Sequence, residues 1–251
     1  MNHIKSYIIT LLMLITGTLQ AGAQSQTLQN RPYTDLRTFH FGVVLGAHLQ
    51  DLEINNVGPI TVTDANGETV ESVVTVDQDR WDPGFQVGVL GELRLNTHMA
   101  FRIAPTMYFG SRHLTFRNYT KLTEQGEYTE ERQNLKSVYI AGVCDLIFAA
   151  KRHGNHRPYF VAGITPMLNL TSRDNDYLRL KNYDVFASFG IGCDYYLPFF
   201  KLRPELKFMF GLTNSLDQGH ASRLKDINMQ PYALSVDKTR SKLITLSLYF
   251  E

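Results

Sequence analysis

Gly84-Phe85-Gln86-Val87-Gly88-Val89-Leu90-Gly91-Glu92-Leu93-Arg94-Leu95 alternates, and this alternation decides the fold. Phe85, Val87, Val89, Leu93 and Leu95 fall on one face of an extended chain, and Gln86, Gly88, Glu92 and Arg94 on the other, because side chains two positions apart share a face of a strand. Helical winding would mix the two sets. The segment is also about twice the usual length of a soluble strand.

Seven further segments carry the same period. Residues 38–49 set Phe39, Phe41, Val43, Leu45, Ala47 and Leu49 against His40, Gly42, Gly46 and His48, and residues 99–116 set Phe101, Ile103, Pro105, Met107 and Phe109 against Arg102, Ala104, Thr106 and Tyr108. Two segments fit less strictly and leave the opposite register open. In 135–150, Val138, Ile140, Cys144, Leu146 and Phe148 oppose Tyr139 and Asp145; in 158–170, Phe160, Ala162, Ile164 and Leu168 share a face. Alternation returns in 183–197, where Val185, Phe189, Ile191, Cys193 and Leu197 oppose Asp184, Ser188, Gly190, Gly192 and Asp194. In 202–212, Leu206, Phe208, Phe210 and Leu212 oppose Arg203, Glu205 and Lys207; in 240–250, Ile244, Leu246, Leu248 and Phe250 oppose Thr245, Ser247 and Tyr249.

The connections alternate in length. Residues 96–98, 151–157 and 198–201 are short; residues 50–83, 117–134, 171–182 and 213–239 are long. Bacterial outer-membrane barrels pair short periplasmic turns with long external loops in this way. The first long connection holds a hairpin of its own, Ile60-Thr61-Val62-Thr63 and residues 70–76 around Asp64-Ala65-Asn66-Gly67, since Asn-Gly suits a positive-φ turn.

Residues 1–23 read as a secretory signal for Sec-type export: Lys5 supplies the positive end, residues 7–15 the apolar stretch, and Ala21-Gly22-Ala23 the small residues before the cut. Residues 24–37 form a short polar leader with Pro32, expected to be extended and periplasmic, and residues 38–251 the barrel domain. The 25 basic and 24 acidic residues become 24 of each once the signal, which holds only Lys5, is removed. A neutral chain sets up no long-range field for nucleic acid.

Alternation by itself also fits a soluble sandwich whose solvated outer faces carry the charges. The signal, the ordered long and short connections and the strand lengths favour a closed antiparallel transmembrane β-barrel of eight strands, in which every backbone group is satisfied within hydrocarbon. Tyr249 and Phe250 near the end look like the insertion signal read by the barrel-assembly machinery. Eight strands enclose a cylinder filled by side chains. Glu92, Arg94, Arg102, Asp194, Arg203, Glu205 and Lys207 should pair there as a structural cluster, which argues against a porin. Cys144 and Cys193 fall on the lipid face two strands apart, too far for a disulfide.

Several stretches resemble the PorT family of outer-membrane barrels: Phe39-His40-Phe41-Gly42 with Leu45-Gly46, Pro83-Gly84-Phe85-Gln86-Val87-Gly88 leading to Arg94-Leu95, Arg157-Pro158-Tyr159 with Gly163, Arg203-Pro204-Glu205-Leu206-Lys207 with Gly211, and Leu248-Tyr249-Phe250-Glu251. Gly142-Val143-Cys144-Asp145-Leu146 departs from the family's Pro-Leu-Leu-Leu-Lys-like run. The resemblance implies a non-enzymatic component of the type IX secretion and gliding apparatus, in the outer membrane of a Gram-negative bacterium, that helps to move cargo with sorted C-terminal domains. Its implied partners are outer-membrane lipid and other outer-membrane or periplasmic secretion subunits.

Two other functional classes remain open at this level: an adhesive barrel binding through its loops, and a lipid-modifying enzyme. Ser111 and His113, two residues apart at a strand end, could form an acyl-transfer pair, but the commoner reading is a pair of interfacial polar residues. His153-Gly154-Asn155-His156 reads as a turn rather than a metal site, having no third ligand nearby. The 64–68 stretch lacks the spacing of a calcium loop. No catalytic residue, cofactor or metal is expected.

Overall fold

The computed structural model describes residues 29–63, 68–122, 126–171, 176–224 and 226–251. The signal segment and the turn residues 64–67 lie outside the described residues. Ten strands form: β1 (Phe39–Asn56), β2 (Pro59–Thr63), β3 (Thr69–Asp77), β4 (Asp82–Arg94), β5 (Met99–Leu122), β6 (Tyr128–Ala149), β7 (His156–Asn169), β8 (Tyr183–Tyr196), β9 (Lys201–Gly211) and β10 (Val236–Phe250). Eight of them make a ring, β1-β4-β5-β6-β7-β8-β9-β10, and β10 pairs back onto β1. All pairings are antiparallel, as the sequence predicts. β2 and β3 are the hairpin expected in the first long connection, and β3 takes over from β4 as the partner of β5 at Val74–Asp77.

The apolar residues read from the sequence face outward. Phe41, Val43, Phe85, Val89, Ile103, Ile164 and Ile191 are exposed, while Gln86, Arg102, Asp145, Glu205 and Tyr249 on the opposite parity are buried. The structure resolves the two open registers: Ile140, Leu146 and Phe148 of β6 and Phe160, Ile164 and Leu168 of β7 are exposed.

Three ladders break at proline. Pro105, Pro166 and Pro204 fall in gaps of the β4–β5, β6–β7 and β8–β9 pairings, with the register unchanged on either side. Each still pairs with the strand on its other flank. A residue without an N–H cannot donate to the ladder it interrupts.

Two sequence expectations need correction. Residues 117–134 are mostly strand rather than loop, because β5 and β6 continue past the expected boundary as a paired ribbon to Asn118↔Thr129. The described part of the leader is not extended. It makes a 3-10 turn at Thr34–Leu36 and tucks under the barrel. Asn30 Nδ2 donates to Tyr196 O at 3.0 Å, the Tyr196 hydroxyl donates to Asp35 Oδ1 at 2.6 Å, and the Arg152 guanidinium lies 3.6 Å over the Tyr196 ring. Polar side chains at the barrel's base thus hold the leader in one place.

Candidate functional site

From the short-turn end upward, the interior is built in layers. In the first, Arg203 reaches three carboxylates. Its Nη1 bonds Glu92 and lies 2.5 Å from Glu251 Oε1, while its Nε stands 2.6 Å from Asp194 Oδ1. Lys201 also pairs with Glu251, and His40 Nδ1 lies 3.5 Å from it. The cavity left among these groups is about 30 Å³, room for no more than a few waters.

One step higher, Arg102 Nη2 sits 3.0 Å from Asp145 Oδ2 and 2.5 Å from Glu205 Oε2. Lys207 Nζ approaches the same carboxylates at 2.6 and 3.2 Å. Tyr159 donates to Glu205 Oε2 at 2.9 Å, and Tyr249 to Glu205 Oε1 at 3.3 Å. Arg102 also stacks 4.1 Å over the Tyr249 ring. Gly192 makes this layer possible, since a Cβ there would come within 2.3 Å of the Tyr159 ring. In these two layers each of Arg203, Arg102 and Lys207 meets an opposite charge within hydrogen-bonding distance, the condition for tolerating ions in a dry interior.

Above this lies a mainly neutral layer. Gln86 donates to Ser247 Oγ at 2.6 Å, and the His48 and Tyr108 rings are 5.4 Å apart. Arg112 is fully buried here and differs from the arginines below. Its Nη1 donates to the Tyr139 hydroxyl at 3.0 Å, and among the described residues it has no carboxylate partner; like Nε and Nη1 of Arg102, its Nε and Nη2 make no hydrogen bond.

Beyond the lipid-facing band the interior turns apolar. Leu52, Val74, Leu114, Phe116 and Leu135 point inward and meet Leu178, Leu180, Leu216 and Tyr232 from the long connections. The Phe116 ring packs 5.3 Å from Tyr177 and 5.7 Å from Tyr232. Gln133 clamps the Leu178 backbone by two bonds of 3.0 Å, and Asp184 accepts from Thr213 at 2.5 Å and Ser215 at 2.6 Å. Partial burial pushes the Tyr177 hydroxyl up from its ordinary pKa. On the outside of this cap Asp79 accepts from Thr115 at 2.7 Å and Arg117 at 3.0 Å, and these two bonds hold its carboxyl below the ordinary aspartate value. A cleft of about 420 Å³ opens at the rim, between Val62 and Val70 of the hairpin, Lys121 and Glu131 of the β5–β6 ribbon, and Tyr177 with Tyr232.

A family described as "Outer membrane protein beta-barrel domain" matches residues 23–217. The chain belongs to this family. It is an outer-membrane β-barrel, which assigns the short turns to the periplasm and the capped end to the cell exterior. Among solved structures it is similar to Neisserial surface protein A (NspA), at 11% identity and a TM-score of 0.41, over 85% of this chain and 98% of that one. No curated protein matches it in sequence.

Of the seven charged residues expected inside the barrel, Glu92, Asp194 and Arg203 meet in the first layer, and Arg102, Glu205 and Lys207 in the second. Arg94 is the exception. It sits half-buried at the periplasmic mouth and donates to Asp35 O of the tucked leader at 3.1 Å. Two essential partners were not in that expected set. Asp145 has inward parity in a segment whose register was open, and Glu251 continues the inward parity of Tyr249 one step past the last strand residue. Tyr249 and Phe250, expected as the insertion signal, face inward and outward respectively, with Phe250 6.0 Å from Phe200. His113 Nδ1 lies 2.7 Å from Asp82 Oδ1, and among the described residues no hydrogen bond joins it to Ser111. His153 and His156 close their turn by reciprocal backbone bonds of 3.0 and 3.2 Å. Cys144 and Cys193 are both free.

Proposed function

We propose that this barrel is a non-enzymatic accessory subunit of the type IX protein secretion machine, acting by contact with neighbouring outer-membrane or periplasmic subunits. The observation that carries the reading is the filled interior: two layers of ion pairs below and a packed aromatic cap above leave no path for a polypeptide. Function then falls to the outer surfaces. The resemblance of Phe39-His40-Phe41-Gly42, Arg203-Pro204-Glu205-Leu206-Lys207 and the closing Leu248-Tyr249-Phe250-Glu251 to the PorT family supplies the particular machine.

The test is a clean deletion of the gene, with cargo measured in culture medium and periplasm and the wild-type chain returned on a plasmid. Cargo trapped in the periplasm and released on complementation is the expected result; unchanged secretion sinks the proposal. A second reading, adhesion through the external loops, is favoured by the cleft beside Tyr177 and Tyr232. It predicts lost attachment with normal secretion. As a non-enzyme the protein should leave lipid A unaltered, and Ser111→Ala should change nothing in the deletion and complementation assay.

A further inference from the structure

On the lipid-facing wall near the periplasmic end, four neighbouring strands bring small side chains to one level. The amide of Ala150, just past β6, donates to Pro158 O at 3.0 Å. Pro158 stands opposite Cys193, and Cys193 falls opposite Pro204 at the interrupted position between Gly192↔Glu205 and Tyr195↔Leu202. The level above is bulky and in register: Phe148 opposite Phe160, Phe160 opposite Ile191, Ile191 opposite Leu206, and Leu206 opposite Leu246. On the periplasmic side His156 pairs with Tyr195, and Tyr195 with Leu202.

The small residues leave a trough of about 650 Å³ walled on one side by Phe148, Phe160, Ile191 and Leu206. It crosses three strand spacings, about 14 Å. Its walls are apolar, and in an outer-membrane barrel this wall faces hydrocarbon. Lys151 follows Ala150, the residue at one end of the trough, in the chain and is exposed. Tyr195, also exposed, lies along the same rim. Lysine and tyrosine at the end of a membrane band sit at headgroup level, where a cation meets phosphate.

We propose that this trough is a binding site for one glycerophospholipid of the inner leaflet, with an acyl chain lying across β6 to β9 and the phosphate at Lys151. A chain seated there touches protein on its floor and along the Phe160–Ile191–Leu206 row, whereas a lipid on the ordinary convex wall touches it on one side. Dispersion contacts, individually small, then accumulate on one bound molecule. The proposal does not depend on the secretion role.

The test is native mass spectrometry of the mature protein, purified from outer membranes in mild detergent and titrated with 1-palmitoyl-2-oleoylphosphatidylglycerol. Wild type is expected to retain one phospholipid. Cys193→Trp, which fills the trough, should lose it, and Ile103→Trp, on the lipid face of β5, should keep it. Lys151→Glu should weaken retention about fivefold, the scale of one lysine at a membrane surface. Folding is checked by the heat-dependent gel shift of a closed barrel, with Ala150→Phe replacing Cys193→Trp if the latter fails it. No retained lipid, equal loss in Ile103→Trp, or retention unaffected by filling the trough overturns the proposal. So does a dimer cross-linked through Cys193, which would assign the trough to a second copy of the chain.

Discussion

At the periplasmic end Arg203 is surrounded by Glu92, Asp194 and Glu251; at the exterior end Phe116, with the same inward parity, is surrounded by Tyr177, Tyr232 and other apolar side chains. β5 passes from one regime to the other within a single strand. Below Gly110 its apolar residues, Phe101, Ile103 and Met107, point out and Arg102 points in. Above it Leu114 and Phe116 point in, and His113 and Arg117 point out. The period of two never breaks, but its apolar phase inverts. The reason is the solvent. Hydrocarbon outside demands an apolar outer face and pushes polar groups inward, where they must pair; water outside restores the ordinary arrangement of a soluble domain with a dry core.

Substitutions at the two ends should therefore fail differently. The largest effect is expected from Arg203→Leu, which strands the buried carboxylates of Glu92 and Asp194, leaves Glu251 to Lys201, and should cost about 3–5 kcal/mol, read as a fall in the urea midpoint of the folded barrel in detergent micelles. A midpoint within error of wild type would mean that the ion-pair layer does not hold the barrel together. Phe116→Ala should cost about 3–5 kcal/mol at most, since it opens a cavity in the cap. Its signature should be local, with faster proteolysis of the 213–235 connection while the closed-barrel gel shift persists. Loss of that shift would show that cap and band fold as one unit.

Arg112 sharpens the contrast because it is an arginine buried without a carboxylate. Arg112→Met should raise stability by about 1–3 kcal/mol, the cost of buried donors left unpaired, in the same urea titration. A fall comparable to that of Arg203→Leu would contradict the assignment of Tyr139 as its principal partner. The smallest effect concerns pH. Asp79, held by Thr115 and Arg117, has a lowered folded-state pKa, so its contribution is present above the ordinary aspartate value and is lost as pH falls through the lowered one. Asp79→Asn should remove that acid-range dependence and cost under about 1 kcal/mol at neutral pH, as exposed pairs do. A cap whose acid sensitivity is unchanged in Asp79→Asn would discount the pair.

Both regimes were partly legible in the chain. Phe85 to Leu95 and its seven counterparts gave strand number, order and lipid face, because a barrel strand's environment on each side depends only on parity. The ends of the strands were not legible by the same rule. Segments read as opening at Leu135 and Arg240 begin at Tyr128 and Val236. A single apolar phase marks a strand only up to the point where that phase inverts. In the site, Glu92, Arg203 and Glu205 are visible as inward charges, whereas the role of Glu251, one position past the last strand, rests on Lys201 and Arg203 closing on it.

Sequence by itself settled what is local and periodic: which side chains share a face, that the outward face suits hydrocarbon, and that opposite charges enter the same interior. Tertiary structure alone decided what depends on distance around the ring. Arg203 on β9 meets Glu92 on β4, and the Arg102–Asp145 pair meets Lys207 and Glu205 from across the barrel. The Pro158, Cys193 and Pro204 trough exists because three strands align small residues at one height. Parity tells a residue which side it faces; only closure of the ring and its register tell it what it faces there.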